Sequence, residues 1–129
     1  MPEQFSSASL PEERALQAWI ILTGYAQRHE TLTYAQLCDL MDYGNPRRLG
    51  NILGRVMYFC QAADLPPLTI LVVNKKTGRP GVGLALYKDR DVLRQRVFSY
   101  RWFMMVPPTP AQLATAWINE GEVFEIDEE

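Results

Sequence analysis

Thr33-Tyr34-Ala35-Gln36-Leu37 is typical of the first turns of a short helix that begins with a capping threonine. The basic segment Arg47-Arg48-Leu49-Gly50-Asn51-Ile52-Leu53-Gly54 starts thirteen residues after Tyr34, beyond the polar turn Tyr43-Gly44-Asn45-Pro46. A short helix, a tight turn and a longer basic helix form a helix-turn-helix pattern, whose second helix can lie in a groove of a nucleic acid. The sequence therefore predicts such a unit in this part of the chain.

Local capping signals set the expected helix boundaries. Ser9 and Glu12 have the spacing of a capping box at the start of helix 1, which we expect over residues 10–28. Thr33 is the expected N-cap of helix 2, and Asn45 is the expected N-cap of helix 3. At helical spacing, the residues expected to face the core in helices 2 and 3 are Tyr34, Leu37, Cys38, Met41, Leu49, Leu53, Val56, Cys60 and Ala63.

The middle of the chain has the signals of a β-hairpin. The run Thr69-Ile70-Leu71-Val72-Val73 is β-branched and apolar, which predicts a strand. Residues 74–81 are a basic turn that contains glycine, and residues 82–87 are expected to return as a second strand. Beyond the hairpin, apolar spacing and turn residues predict two more helices, at residues 89–103 and 109–119.

Together these elements predict a mainly α, α+β fold. We expect a winged helix-turn-helix of three helices and a β-hairpin wing, extended by additional C-terminal helices. The chain of 129 residues, 47% hydrophobic and 22% charged, has the length and composition of one globular domain. The expected organisation is a loose tail at residues 1–8, the domain at 9–119, and an acidic tail at 120–129 that carries six carboxylates.

Charge is segregated along the chain. Residues 44–102 hold eleven Lys/Arg and three Asp/Glu, whereas the remaining residues hold two Arg and twelve acids, for a net charge of −2. Segregation of this kind predicts a basic surface formed by the middle of the domain, suited to a polyanion. The alternative is that these cations are merely solvated, because neighbours in sequence need not be neighbours in space.

Several classes of function are disfavoured by composition. No apolar run approaches the roughly 20 residues needed to cross a bilayer, and the first residues have no secretory pattern. The two cysteines, Cys38 and Cys60, fall in expected helices and are predicted to be buried thiols in a reducing cytoplasm. One histidine, His29, cannot build a multi-histidine metal site. We therefore expect a cytoplasmic protein without membrane association, metal or cofactor.

Residues 31–81 resemble the DNA-binding domain of the O6-alkylguanine-DNA alkyltransferases and of the catalytically inactive alkyltransferase-like proteins. That family carries a Thr-Tyr-Gly-Gln segment, a Gly-Asn-Pro turn, Arg-Ala-Val-Gly on a recognition helix, then Pro-Cys-His-Arg-Val-Val and a turn with glycine. Their order is kept here, and the spacing from Tyr34 to Arg47 agrees within one residue. The equivalents are Thr33-Tyr34-Ala35-Gln36, Gly44-Asn45-Pro46, Arg47-Arg48-Leu49-Gly50, Val72-Val73 and Gly78.

The departures from that family change what the resemblance implies. The reactive cysteine would fall at Leu68 or Thr69, and no His-Arg pair follows. The resemblance therefore implies a fold and a DNA-facing helix, without alkyl transfer. It also implies that Arg47 matches the arginine that replaces an extruded base and that Tyr34 matches the tyrosine that turns a phosphate. The resemblance thus implies an alkyltransferase-like protein, and the leading hypothesis for its function is a DNA-binding protein of bacterial or phage type.

The candidate nucleic-acid-binding residues come from the helix-turn-helix and from the predicted wing. Guanidinium groups suit guanine edges and phosphates alike, and ammonium groups at a hairpin tip suit phosphates. Tyr34 has an alternative role as a core residue of helix 2. The residues are Tyr34, Asn45, Arg47, Arg48, Asn51, Arg55, Lys75, Lys76 and Arg79.

The leading hypothesis is a non-enzymatic protein that binds DNA, most simply a duplex. A second hypothesis is a protein-interaction module on the same fold, with a partner bound through the aromatic stretch from Phe98 to Val106 or through the acidic tail. Arg94, Arg96 and Arg101 lie among the aromatic residues Phe98, Tyr100, Trp102 and Phe103, a pattern that can stack on bases but more often packs inward or against a partner. The acidic tail could also compete with DNA for the basic face. An enzyme acting on nucleic acid is the third hypothesis.

Overall fold

A computed structural model gives the fold and describes residues 2–78 and 89–120, without the side chains of the last two. Within these residues the chain is mainly helical, as predicted, with five α-helices, two short strands and three turns of 3₁₀ helix. The helices and strands are α1 (Pro11–Gln27), β1 (Leu32–Thr33), α2 (Tyr34–Met41), α3 (Leu49–Ala62), β2 (Val72–Val73), α4 (Arg90–Ser99) and α5 (Pro110–Glu120). The 3₁₀ turns are Pro46–Arg48, Leu68–Leu71 and Trp102–Met104.

Helix α1 lies at the centre of the fold, because it contacts each of the other α-helices. Its start differs from the prediction by one residue. The N-cap is Leu10, whose amide donates to Glu13 Oε1 at 2.7 Å. Ser9 is not the cap, because its hydroxyl accepts from the Ser6 amide at 2.9 Å in the preceding turn. The predicted box of Ser9 and Glu12 is therefore wrong.

Helix α2 begins as its sequence predicts. The Thr33 hydroxyl accepts from the Gln36 amide at 3.1 Å, and the Gln36 side chain accepts from the Thr33 amide at 2.8 Å. This reciprocal capping satisfies two amides that a helix start leaves without partners. The four residues predicted for the inner face are all buried: Tyr34, Leu37, Cys38 and Met41. The helix ends at Met41, and its C-cap, Asp42, adopts a left-handed conformation with φ of 50°.

Helix α3 is entered through the 3₁₀ turn Pro46–Arg48. Asn45 caps this turn by accepting from the Arg47 amide at 3.2 Å, and Pro46 occupies its first position. Proline fits there because that position needs no amide donor. The predicted inner residues Leu49, Leu53, Val56 and Cys60 are buried, whereas Ala63 is exposed beyond the helix end.

The predicted strand at 69–73 is mostly wrong. Leu68–Leu71 is a buried 3₁₀ turn, and only Val72–Val73 is strand. This β2 pairs in parallel with β1, with Leu32 opposite Val72 and Thr33 opposite Val73. Among the described residues, β1 offers two residues for pairing, and the rest of the apolar run is buried as a turn. The predicted return strand at 82–87 lies outside the described residues.

In the C-terminal part, a single helix was predicted at 89–103. The structure has α4 followed by the 3₁₀ turn Trp102–Met104 in its place. Val97 and Trp102 are buried and hold this segment to α1, where the Trp102 and Trp19 rings meet edge to face at 5.6 Å. The indole of Trp102 donates to the Val97 carbonyl at 2.8 Å. Helix α5 then covers α1 and α3. Of the predicted acidic tail, residues 121–129 lie outside the described residues.

Candidate nucleic-acid interface

The first group of exposed cations is Arg47 and Arg48, in the 3₁₀ turn that leads into α3. Asn45 is also exposed, and its side-chain oxygen caps this turn by accepting from the Arg47 amide. Asn51, in the first turn of α3, is half-buried. The sequence-predicted residues at this position therefore share a surface. The two positive charges, Arg47 and Arg48, lie in a short 3₁₀ turn capped by Asn45 and not in the middle of a recognition helix.

Arg55 differs from these exposed cations. Its guanidinium lies over the Trp117 ring of α5, with Cζ 4.7 Å from the ring centroid. It also donates from Nη1 to the Asn51 carbonyl. Burial lowers the pKa of Arg55, and the nearby charge of Glu12 opposes that effect. The geometry therefore favours a role for Arg55 in joining α3 to α5 over the predicted contact with DNA.

Tyr34 is a correction to the predicted interface. Its side chain is 3% exposed and belongs to the core face of α2. The alternative of a core tyrosine, which its helical spacing allowed, is therefore the correct one. A ring in this position cannot turn a phosphate, so that role does not carry over from the alkyltransferase-like proteins.

The second group of exposed cations is Lys75 and Lys76, which follow β2 in a tight turn at residues 74–78, called here the basic turn. Asn74, 6% exposed, is buried at its base. The turn closes with a hydrogen bond of 2.7 Å from the Gly78 amide to the Asn74 carbonyl. Gly78 has a φ of +66°, which glycine adopts without strain. Arg79, the last predicted site residue, lies outside the described residues.

Helix α2 connects the two groups of cations. Because β1 and β2 run parallel, both strands leave the sheet at the same edge, and the start of α2 and the basic turn therefore lie together. The other end of α2 leads within four residues to the 3₁₀ turn of Arg47 and Arg48, which α2 contacts. Eight helical residues span roughly 12 Å. The two cation pairs thus lie near opposite ends of α2.

Arg14 holds α2 in this position, and the sequence prediction missed it. This side chain of α1 is 4% exposed and donates to the carbonyls of Met41 at 2.8 Å and Asp42 at 3.2 Å. Its guanidinium also lies over the Tyr43 ring at 5.2 Å. A cation suits this place because the end of a helix carries unpaired carbonyls and partial negative charge.

The cations of α4 and its C-terminal flank form a separate set. Arg94 pairs with Asp91 at 2.6 Å, while Arg96 and Arg101 are exposed. The aromatic rings between them contact other rings of the protein: Phe98 stacks on His29 at 5.0 Å and Tyr100 packs on Trp102 at 4.5 Å. Phe98 and Tyr100 therefore pack against rings of the protein, as the inward-packing alternative predicted, whereas Phe103 of the same aromatic set is 63% exposed.

The positions where the resemblance would place a nucleophile are part of the core. Leu68 and Thr69 are buried in a 3₁₀ turn. Burial also raises the pKa of the Cys60 thiol to about 12, so this sulfur is protonated at neutral pH. Cys38 is a second buried free thiol.

Within residues 2–78 and 89–120, no group of three or more His, Cys, Asp or Glu side chains is arranged to hold a metal ion. None of the helices in this part of the chain combines the length and apolar character required to cross a membrane. Comparison with protein families, with curated proteins and with solved structures found no match.

Proposed function

We propose that the protein is a non-enzymatic DNA-binding protein whose contact surface is α2 with its two flanking cation pairs. The observation that carries this proposal is the placement of Arg47 and Arg48 at one end of α2 and of Lys75 and Lys76 at the other. Both pairs lie in short turns tied to rigid elements, so their spacing is set by the fold. Cations held at a fixed spacing suit the regular phosphates of a nucleic acid.

The chemistry of this surface favours recognition of the phosphate backbone. The ring of Tyr34 is buried, and Arg14 covers one face of the half-buried Tyr43 ring, which limits the aromatic surface left for an unpaired base. Binding of single strands generally uses such faces for stacking. The cations at both ends of α2 instead suit two phosphate rows on either side of a groove. A duplex is therefore the expected ligand.

Binding of a labelled duplex is expected to depend steeply on salt. If Arg47, Arg48, Lys75 and Lys76 each neutralise one phosphate, log K should fall with log salt at a slope of about −3.6. Raising monovalent salt from about 50 to 200 mM should then weaken binding about 10²-fold. Fluorescence anisotropy titrations at these two concentrations, with a duplex and with a single strand of the same sequence, measure both quantities.

The comparison of ligands decides this test. Tighter binding of the duplex, together with the steep slope, supports the proposal. A slope near zero, or equal binding of both ligands at every salt concentration, would remove the argument for a phosphate-binding surface of fixed spacing.

A protein-interaction module is the second candidate function, and one observation favours it. Phe103, Met104 and Val106 follow one another closely and are 63%, 73% and 84% exposed. Neighbouring apolar side chains in water are a feature of partner-binding surfaces. This strip belongs to the C-terminal part of the chain, so both functions can coexist.

Replacing Met104 and Val106 with glutamate separates the two functions. The exposed positions should tolerate the change, so the midpoint of urea unfolding should stay nearly constant. Duplex binding should fall less than about threefold, since two added charges act on the DNA site only at long range. If the strip serves association, the substitution should abolish any self-association seen by analytical ultracentrifugation or capture of a partner. A large loss of duplex binding would instead place the strip in the DNA interface.

A further inference from the structure

The basic turn is organised by one buried amide side chain. Asn74 follows β2 directly and is 6% exposed, whereas the next two residues, Lys75 and Lys76, are exposed. Its Oδ1 accepts from the Lys76 amide at 2.9 Å and from the Thr77 amide at 3.4 Å. Its own carbonyl accepts from Gly78. Three successive amides of the turn thus donate to this single residue.

This hydrogen bonding determines which groups of the turn are left to meet an anion. Successive backbone amides in a turn can themselves cradle a phosphate. Here the amides of Lys76, Thr77 and Gly78 already donate to Asn74. These three amides are therefore not available as a cradle for an anion, so contact with an anion would fall to the lysine side chains.

The residue type fits this role. An asparagine side chain mimics a backbone turn by accepting amides two and three residues ahead, and such turns are stable in short loops. Aspartate would accept the same amides but would bury a negative charge. Alanine would leave two amides of the turn without their acceptor, which frees the backbone at Lys75 and Lys76 to take other conformations.

We propose that Asn74 is a positioning residue of the DNA-binding surface. It holds the basic turn in one conformation, so that Lys75 and Lys76 stand beside the start of α2. The inference rests on the proposed function, since it names a residue that acts through the cations of that same surface. Asn74 makes no contact with DNA in this arrangement.

A double-mutant cycle with duplex DNA tests the inference. The variants are Asn74→Ala, the pair Lys75→Gln with Lys76→Gln, and all three changes together. The lysine pair should weaken binding at 0.1 M salt by about 60-fold, the expectation for two lost phosphate contacts. Asn74→Ala alone should weaken it by about 5- to 60-fold and lower the salt slope. In the background without the lysines, Asn74→Ala should change binding less than about twofold, because residues that act as one unit are not additive.

Two further variants separate positioning from a loss of stability. Asn74→Ser keeps a shorter acceptor and should restore part of the binding and of the salt slope. Thr23→Ala is the matched control, because it also removes a buried polar side chain, at 7% exposure, in α1. Its hydroxyl donates to the Ile20 carbonyl within the same helix, so duplex binding should remain unchanged. Urea unfolding of each variant confirms that binding is measured on folded protein.

The outcomes distinguish failure of the inference from failure of the proposed function. If removing the two lysines leaves duplex binding unchanged, the basic turn is not part of the interface and the proposed function loses half of its surface. If the lysines matter but Asn74→Ala binds normally, the inference is overturned. An equal loss from Asn74→Ala with and without the lysines also overturns it, because Asn74 would then act independently of them.

Discussion

Replacing Arg14 with methionine is expected to lower the free energy of unfolding by about 3 kcal/mol. The change removes a buried guanidinium that donates to the Met41 and Asp42 carbonyls and leaves those acceptors with poorer partners. Hydrogen bonds from charged groups contribute about 1.5 to 3 kcal/mol each, and relief from burying the charge offsets part of the loss. For a domain of this size the melting temperature should fall by about 10 °C.

The matched control is Arg28→Met, which removes the same charge near the other end of α1. Arg28 is exposed and pairs with Glu30 at 3.3 Å in solvent, so the loss should stay within about 0.5 kcal/mol. Hydrogen exchange adds a local readout, because Tyr43 donates its amide to the Cys38 carbonyl at 2.9 Å at the end of α2. This amide should exchange faster in Arg14→Met. A stability loss below about 1 kcal/mol would contradict the role given to Arg14.

Neutralising the four cations that flank α2 is expected to weaken duplex binding on the order of 10³-fold at 0.1 M salt. The variant replaces Arg47, Arg48, Lys75 and Lys76 with glutamine. These side chains are exposed, so the fold should remain stable. The slope of log K against log salt should approach zero, since about four released counterions are lost. Anisotropy titrations over a range of salt concentrations measure both effects.

A second set of four neutralisations controls for overall charge. Arg90, Arg94, Arg96 and Arg101 lie in α4 or just beyond it, and changing them to glutamine removes the same four charges. Long-range attraction falls equally in both variants, whereas only the first set removes the contacts proposed here. The control should therefore lose far less affinity. If both variants lose the same affinity, binding follows net charge alone, and the surface around α2 has no special part in it.

The elements that the sequence predicted well are those set by local chemistry. The Thr33 cap with Gln36 and the inner face of α2 involve residues within one or two helical turns of each other. Such patterns can be recognised without knowledge of the rest of the chain. The 3₁₀ turn with Asn45 and Pro46 belongs to the same class, since cap and proline are adjacent.

Long-range contacts account for what the sequence did not predict. Arg14 lies in the first turn of an amphipathic helix, where arginine is ordinarily a surface residue, and its partners are 27 and 28 residues away. One signal was present: Arg14 stands four residues before Ala18 and eight before Leu22, in line with buried positions. Arg55 is similar, because its position over Trp117 depends on how α5 packs against α3.

The strand prediction failed for a related reason. β-branched and apolar residues at 69–73 favour a strand, but a strand needs a partner of matching length. Only Leu32 and Thr33 pair with it among the described residues. The residues just before the strand are instead buried in the 3₁₀ turn Leu68–Leu71, where each residue is at most 1% exposed.

The two-residue sheet has a consequence for how the protein assembles. It joins points forty residues apart in the chain, and closing a loop of that length costs entropy that so few strand hydrogen bonds cannot offset alone. The closure must therefore coincide with docking of α2 and α3, which lie within the loop. Both ends of the proposed contact surface are then established in one cooperative step. A ribosome-bound chain that has not yet exposed residue 73 would lack this surface altogether.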